Sequence, residues 1–73
     1  MSMQTTEIEI VVNGGTHQLA AGASITTLIA KMGLDPHLVA VEINRQLVRR
    51  SNFEEHLIES GDRIEIVEFV GGG

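Results

Sequence analysis

Residues 24–33 read Ser-Ile-Thr-Thr-Leu-Ile-Ala-Lys-Met-Gly, and the spacing within this stretch decides the predicted fold. Residues at the spacing i, i+3, i+4 and i+7 form one apolar helix face, here Ile25, Leu28, Ile29 and Met32. Ser24 is suited to cap the helix because its hydroxyl accepts an unpaired backbone N–H, and Gly33 is suited to end it. A single amphipathic helix over 25–32 needs one apolar sheet face to cover it.

The segments on both sides of this helix alternate between apolar and polar residues, which predicts strands. The predicted strands are 7–12, 16–19, 39–43, 47–48 and 63–70, with turns at 13–14, 44–45 and 61–62. The polar segment 49–60 is predicted to be a loop with a turn or two of helix, anchored by Phe53, Leu57 and Ile58. We therefore expect an α+β fold in which a mixed four- to five-stranded sheet packs on one helix. The first and last strands are expected to be central, parallel neighbours.

Length and composition limit the classes of function. The chain has 73 residues, ten acidic against five basic side chains, a net charge of −5 and no Cys, which predicts a single domain over 1–73. Without Cys there is no disulfide, thiol nucleophile, zinc knuckle or iron–sulfur site. The acidic balance argues against nucleic acid as a partner. No apolar run approaches the ~20 residues that span a bilayer, and no signal peptide is recognised at the N-terminus, so we expect a cytoplasmic protein without a membrane partner.

No catalytic constellation is found in the sequence. The three histidines are far apart and lack metal-ligand spacing, which predicts that they are scattered surface residues: His17, His37 and His56. The glycines form neither a P-loop nor a dinucleotide-binding motif. The sequence therefore predicts no catalytic, metal-binding or cofactor-binding residue.

The unusual feature is the C-terminal run Gly71-Gly72-Gly73, which directly follows a strand. Glycine has no Cβ, so a flexible glycine tail can thread a channel too narrow for other residues, and three residues reach about 10 Å when extended. The terminal carboxylate of Gly73 becomes open to capture by a nucleophile once it is activated, for instance as an acyl-adenylate. A chain without a thiol can in this way carry sulfur on its own end. The alternative is an inert, frayed terminus.

Six motifs span most of the chain: Val12-Asn13-Gly14, Ser24-Ile25-Thr26-Thr27-Leu28-Ile29-Ala30, Val39-Ala40-Val41-Glu42-Ile43-Asn44, Val48-Arg49-Arg50-Ser51, Ser60-Gly61-Asp62-Arg63-Ile64-Glu65-Ile66 and Phe69-Val70-Gly71-Gly72-Gly73. Together they resemble the ThiS family, the β-grasp, ubiquitin-like sulfur carrier proteins of thiamine biosynthesis. Arg49 stands where that family often has Pro, and the residues before Glu7 form an N-terminal extension.

The resemblance implies a reaction sequence centred on Gly73. A ubiquitin-activating-type adenylyltransferase would adenylate its carboxylate, and sulfur from a cysteine desulfurase would convert it into a thiocarboxylate. Thiazole synthase would then take the sulfur, while Gly71 and Gly72 thread the tail into each partner. The chain would be a protein cosubstrate and not an enzyme. It would bind no cofactor itself, because ATP and Mg belong to the activating partner.

Strand parity suggests where these partners bind. If Ile64 and Ile66 face the helix, the opposite face of the sheet carries a small apolar patch ringed by acids. Its predicted members are Phe69, Val67, Val11 and Ala40, with Val70 beside the tail. An aromatic anchor with a charged rim is typical of a protein interface, although single exposed apolar residues are common on any surface.

Three other functions remain open from the sequence. The small subunit of molybdopterin synthase would use the same tail chemistry, but those subunits tend to be longer. A ubiquitin-like modifier joined to lysines by an isopeptide bond would have an identical tail. A β-grasp interaction domain with an inert tail is the third alternative.

Overall fold

The computed structural model describes residues 6–69, which form a mixed five-stranded sheet covered on one face by one helix. The elements are β1 Glu7–Val12, β2 Gly15–Ala20, α1 Ile25–Lys31, β3 Val39–Ile43, β4 Gln46–Val48 and β5 Arg63–Glu68. Two short 3-10 helices, Pro36–Leu38 and Arg50–Asn52, precede β3 and follow β4. The predicted mixed sheet on one helix is confirmed, and it has five strands.

The first and last strands along the chain, β1 and β5, are neighbours in the sheet. The strand order is β2-β1-β5-β3-β4, and β5 lies parallel to β1 and antiparallel to β3. The two hairpins, β1–β2 and β3–β4, are antiparallel. The parallel pair at the centre is therefore as predicted, and the last strand is held on both sides.

The core lies between α1 and the inner face of the sheet. Ser24 caps the helix, since its Oγ accepts the N–H of Thr27 at 3.2 Å, and Gly33 follows the helix at a φ of 73°. The helix ends at Lys31, one residue earlier than predicted, and Met32 is its C-cap. The buried apolar residues at the centre of the core include Ile10, Ile25, Leu28, Ile29, Val41, Ile64 and Ile66.

The segment between β4 and β5 departs from the prediction at one anchor. Phe53 and Ile58 are buried as expected, but Leu57 is 55% exposed, so its prediction as an anchor is wrong. The backbone here is extended and pairs with the residues before α1, with Ile58 N–H donating to Ala23 O at 2.9 Å. Successive side chains of extended backbone point to opposite sides, so burying Ile58 exposes Leu57.

Two smaller differences concern β5 and the histidines. The strand predicted over 63–70 is observed from Arg63 to Glu68, and Val70 lies outside the described residues. His17 and His37 are exposed as predicted, whereas His56 is half-buried. No helix within residues 6–69 has the length and apolar character needed to cross a membrane.

Candidate functional site

The candidate site begins where the described chain ends, at Phe69. The N–H of Phe69 donates to the carbonyl of Leu38 over 2.8 Å, which continues the β3–β5 pairing one step beyond β5. The predicted site residues Val70, Gly71, Gly72 and Gly73 lie outside the described residues. Residues 6–69 are therefore the part of the candidate site that the structure describes.

An apolar surface on the uncovered face of the sheet adjoins this point. Ala40 lies directly opposite Val67 in the β3–β5 register, and Leu38 lies beside Phe69. Val67, Phe69 and Leu38 are 58%, 52% and 47% exposed. We call these four residues the tail-end patch: Leu38, Ala40, Val67 and Phe69. The structure thus brings together three of the five residues predicted to bind partners.

Leu38 belongs to the patch, although the sequence analysis missed it. It immediately precedes β3 and follows Pro36 and His37 in a 3-10 helix. The alternation of Val39–Ile43 places Ala40 on the uncovered face, and Leu38, two residues before Ala40, has the same parity. That parity was the signal available in the sequence, but the nearby Pro36 obscured it.

Val11 is separated from the tail-end patch. It pairs with Arg63 in the β1–β5 register, and Arg63 precedes Val67 by four positions, or roughly 13 Å of strand at ~3.3 Å per residue. The separation arises because β1 ends at Val12 and the chain turns back through Gly14 into β2. Val11 is half-buried and borders a charged region instead.

This charged region is a shallow groove of about 540 Å³ on the same face, and its lining includes no residue of the tail-end patch. Its lining includes Val11, Glu42, Arg45, Arg63 and Glu65. Glu42 and Glu65 lie directly opposite each other on β3 and β5. The uncovered face is therefore divided into an apolar half that contains Phe69 and a charged half at the far end.

Leu47 is a second exposed apolar residue that the sequence analysis missed. It lies opposite Glu42 on the edge strand β4 and is 69% exposed. The short predicted strand 47–48 contained too few residues to show an alternation, so its faces were not assigned. Leu47 lies at the charged half of the sheet and not in the tail-end patch.

Side chains from outside the sheet hold the turn that carries Leu38. Arg50 donates from Nε to the Pro36 carbonyl at 3.1 Å and from Nη2 to the His37 carbonyl at 3.3 Å. Asp35 Oδ1 accepts the His37 N–H at 2.8 Å. These bonds fix the backbone of the turn. They thereby position the Leu38 carbonyl, which accepts the Phe69 N–H.

The described residues on the uncovered face combine exposed apolar side chains with charged ones. Within residues 6–69 no group of three or more His, Asp or Glu side chains is arranged to hold a metal ion. An exposed apolar cluster beside a charged region is instead the arrangement found at protein interfaces.

Comparison with known proteins gives one family. A model of the ThiS family matches residues 6–73 of the chain. The chain is 29% identical over 66 residues to the sulfur carrier protein ThiS of Escherichia coli, and the match covers 90% of this chain and 100% of that one. It is also 35% identical over 66 residues to a thiazole synthase of Paramagnetospirillum magneticum. The chain spans about a fifth of the length of that thiazole synthase, since the match covers 90% of this chain and 20% of the other.

A solved structure shares the β-grasp fold. The crystal structure of the thiamine biosynthesis protein ThiS from Geobacter metallireducens superposes with a TM-score of 0.77 at 28% sequence identity. The match covers 90% of this chain and 100% of that one. The fold predicted from strand and helix patterning is thereby confirmed.

Proposed function

The chain belongs to the ThiS family of sulfur carriers in thiamine biosynthesis, and from this premise we propose that its Gly73 carboxylate is adenylated and converted into a thiocarboxylate. The thiocarboxylate then donates sulfur for thiazole formation. The observation that carries the proposal is the terminal Gly71-Gly72-Gly73 run, which follows a central strand closely and lies within the family match.

In these reactions the chain supplies only the reacting carboxylate. Attack of a Gly73 carboxylate oxygen on the α-phosphorus of Mg-ATP releases pyrophosphate and leaves an acyl-adenylate. Sulfur from a cysteine desulfurase system, brought to the level of sulfide by a reducing thiol, then bonds to the carbonyl carbon as AMP leaves with its oxygen. A ubiquitin-activating-type adenylyltransferase holds the nucleotide and metal, so this chain is a protein cosubstrate. The cytoplasm is proposed as the place of these reactions.

The tail-end patch is proposed to dock these partners. It adjoins the last described residue, so a partner seated on it lies beside the start of the tail. Large half-exposed side chains such as Phe69 gain most from being covered, because burial removes apolar area from water. Val70, the next residue, is proposed to extend the same contact. Thiazole synthase is proposed as the second partner, because a fifth of one protein of that name resembles this chain.

Intact-mass spectrometry tests the proposal. The purified chain is incubated with its adenylyltransferase, Mg-ATP, a cysteine desulfurase, cysteine and a reducing thiol. We expect a mass gain equal to the replacement of one oxygen by sulfur, and no gain without ATP or in a variant lacking Gly73. An unchanged mass in the complete mixture would contradict the proposal.

The same experiment separates the alternative functions. Covalent attachment of the chain to lysines of other proteins would indicate a ubiquitin-like modifier. A thiocarboxylate that restores a molybdoenzyme-deficient strain, but not a thiamine auxotroph, would indicate a molybdopterin synthase subunit. Restoration of the thiamine auxotroph is the expected result.

A further inference from the structure

Asn13 continues the β1–β5 pairing with its side chain after β1 itself has ended. The backbone ladder runs from Val11 N–H to Asp62 O at 3.0 Å and from Asn13 N–H to Ile64 O at 2.9 Å. At the next step the Ile66 N–H donates to Asn13 Oδ1 at 2.8 Å, and Asn13 Nδ2 donates to Ile66 O at 3.1 Å. A side-chain amide therefore takes the place of a backbone peptide group at Ile66.

These side-chain bonds of Asn13 are needed because the β1–β2 hairpin turns the backbone away from β5. Asn13 and Gly14 have φ values of 50° and 83°, which turn the chain back into β2 and away from β5. Beyond the Asn13 N–H, no backbone group of this side of the sheet bonds to β5 within the described residues. From Ile66 onward β5 would then be held only by β3, on one side. A strand end paired on one side opens readily, and this end is the one that leads to the tail.

Asn44 bonds to the opposite end of β5 with both its backbone and its side chain. Its N–H donates to Arg63 O at 2.8 Å, and its Oδ1 accepts the Arg63 N–H at 3.0 Å. Its φ is 52°, almost equal to that of Asn13. The two asparagines are matched in residue type and turn position, and each makes two side-chain hydrogen bonds. Those of Asn44 go to Arg63 and to Asp62 Oδ1 at the start of β5, and those of Asn13 go to Ile66 near its end.

We propose that Asn13 is a positioning residue that fixes the point at which the C-terminal tail leaves the sheet. The effect of Asn13 on adenylation rests on the proposed function, because in that function the adenylyltransferase binds the tail. Ile66 precedes Phe69 by three positions, so its two bonds to Asn13 hold the end of β5 against the sheet. Val67 and Phe69 are thereby kept together as parts of one docking surface.

Glycine substitutions give a matched test. Glycine adopts positive φ without strain, so Asn13→Gly and Asn44→Gly keep both turns and remove only the side-chain bonds. Hydrogen exchange of the Phe69 amide, followed by NMR, reports opening of the end of β5, because its acceptor Leu38 O is untouched in both variants. We expect Phe69 exchange to rise roughly tenfold in Asn13→Gly, as two hydrogen bonds are lost, and to stay unchanged in Asn44→Gly.

Steady-state kinetics of adenylation give the second readout. The apparent affinity of a protein falls in proportion to the fraction of molecules in the binding-competent form. Asn13→Gly should therefore raise the KM for the carrier several-fold and leave kcat unchanged, because a docked carrier is the same molecule. Asn44→Gly should leave both constants unchanged. A purely structural role would lower the thermal stability of both variants without this KM difference.

The outcomes are distinguishable. Unchanged Phe69 exchange in Asn13→Gly would overturn the assignment, whatever the enzyme assay gives. Faster exchange with an unchanged KM would overturn the link between Asn13 and delivery of the tail. If the wild-type chain is not adenylated at all, the proposed function fails, and the exchange data still decide whether Asn13 holds the end of β5.

Discussion

Glu42 and Glu65 lie directly opposite each other on β3 and β5, and both side chains are exposed on the uncovered face of the sheet. Like charges at directly opposed positions repel and destabilise a sheet. The pair sits between the tail-end patch and the far end of the sheet, in a chain whose net charge is already −5. A neutral substitution at one position should remove this repulsion.

We predict that Glu65→Gln stabilises the protein. Loss of the repulsion from Glu42 should raise the free energy of unfolding by about 0.2–1 kcal/mol. Urea denaturation at low ionic strength measures the change, and added salt should reduce it, because exposed charges are screened.

Glu9→Gln is the control for this prediction. Glu9 is also exposed on a strand, but it lies opposite the neutral Gln18. Both variants lower the net negative charge by one. If Glu9→Gln stabilises the protein as much as Glu65→Gln does, the effect comes from overall charge and not from the opposed pair.

We predict that Phe69→Ala weakens docking without destabilising the fold. Phe69 is half-exposed, so the free energy of unfolding should change by no more than about 0.5 kcal/mol. The KM for the carrier in adenylation should rise at least about fivefold, as expected for an aromatic anchor in an interface. Leu57→Ala serves as control, because Leu57 is similarly exposed but lies away from the patch. Equal KM values for the two variants would argue against the tail-end patch as the docking surface.

We predict that shortening the side chain lowers the free energy of unfolding more at Ile64 than at Val67, although both residues belong to β5. Ile64 is buried and Val67 is exposed. Ile64→Val should lower the free energy of unfolding by about 0.5–1.5 kcal/mol, since it removes a buried methylene. Val67→Ala should change it by no more than about 0.5 kcal/mol. Chemical denaturation of both variants measures this, and a larger loss in Val67→Ala would mean that the faces of β5 are assigned wrongly.

We predict that Arg50, unlike its neighbour Arg49, contributes to stability. Arg50→Ala removes the bonds to the carbonyls of Pro36 and His37, and should cost about 0.5–1.5 kcal/mol. Among the side-chain hydrogen bonds of residues 6–69 there is none from Arg49, so Arg49→Ala makes the same change in charge without that loss. Thermal denaturation compares the two. Equal shifts in Tm would show that the bonds of Arg50 contribute nothing.

Much of the fold could be predicted from local patterns. The period-two alternation of Glu7–Val12 and Val39–Ile43 gave their buried faces, and the spacing from Ile25 to Met32 gave the helix. Asn13-Gly14 marked a hairpin because both positions require positive φ. Each of these properties depends on residues close together in the chain, which is why one sequence sufficed.

The composition of the site could be predicted only in part, because it depends on strand register. Alternation shows that Val11 and Val67 share a face of the sheet. It does not show how far apart they lie along the neighbouring strands. Register is set by turn geometry and packing, and here it puts Val11 beside Arg63. The side-chain bonds from Asn13 to Ile66 join residues 53 positions apart, and no local pattern distinguishes them from the ordinary preference of Asn for turns.

The parallel pairing of β1 and β5 has a mechanical consequence. Because the two strands run in the same direction, the start of β1 and the end of β5 lie at opposite ends of the sheet. A force that draws the C-terminal tail away from the N-terminus therefore acts along the strands. It loads the hydrogen bonds between them together in shear and does not unzip them one by one. Extension between the start of β1 and the end of β5 is therefore resisted by all of these bonds at once.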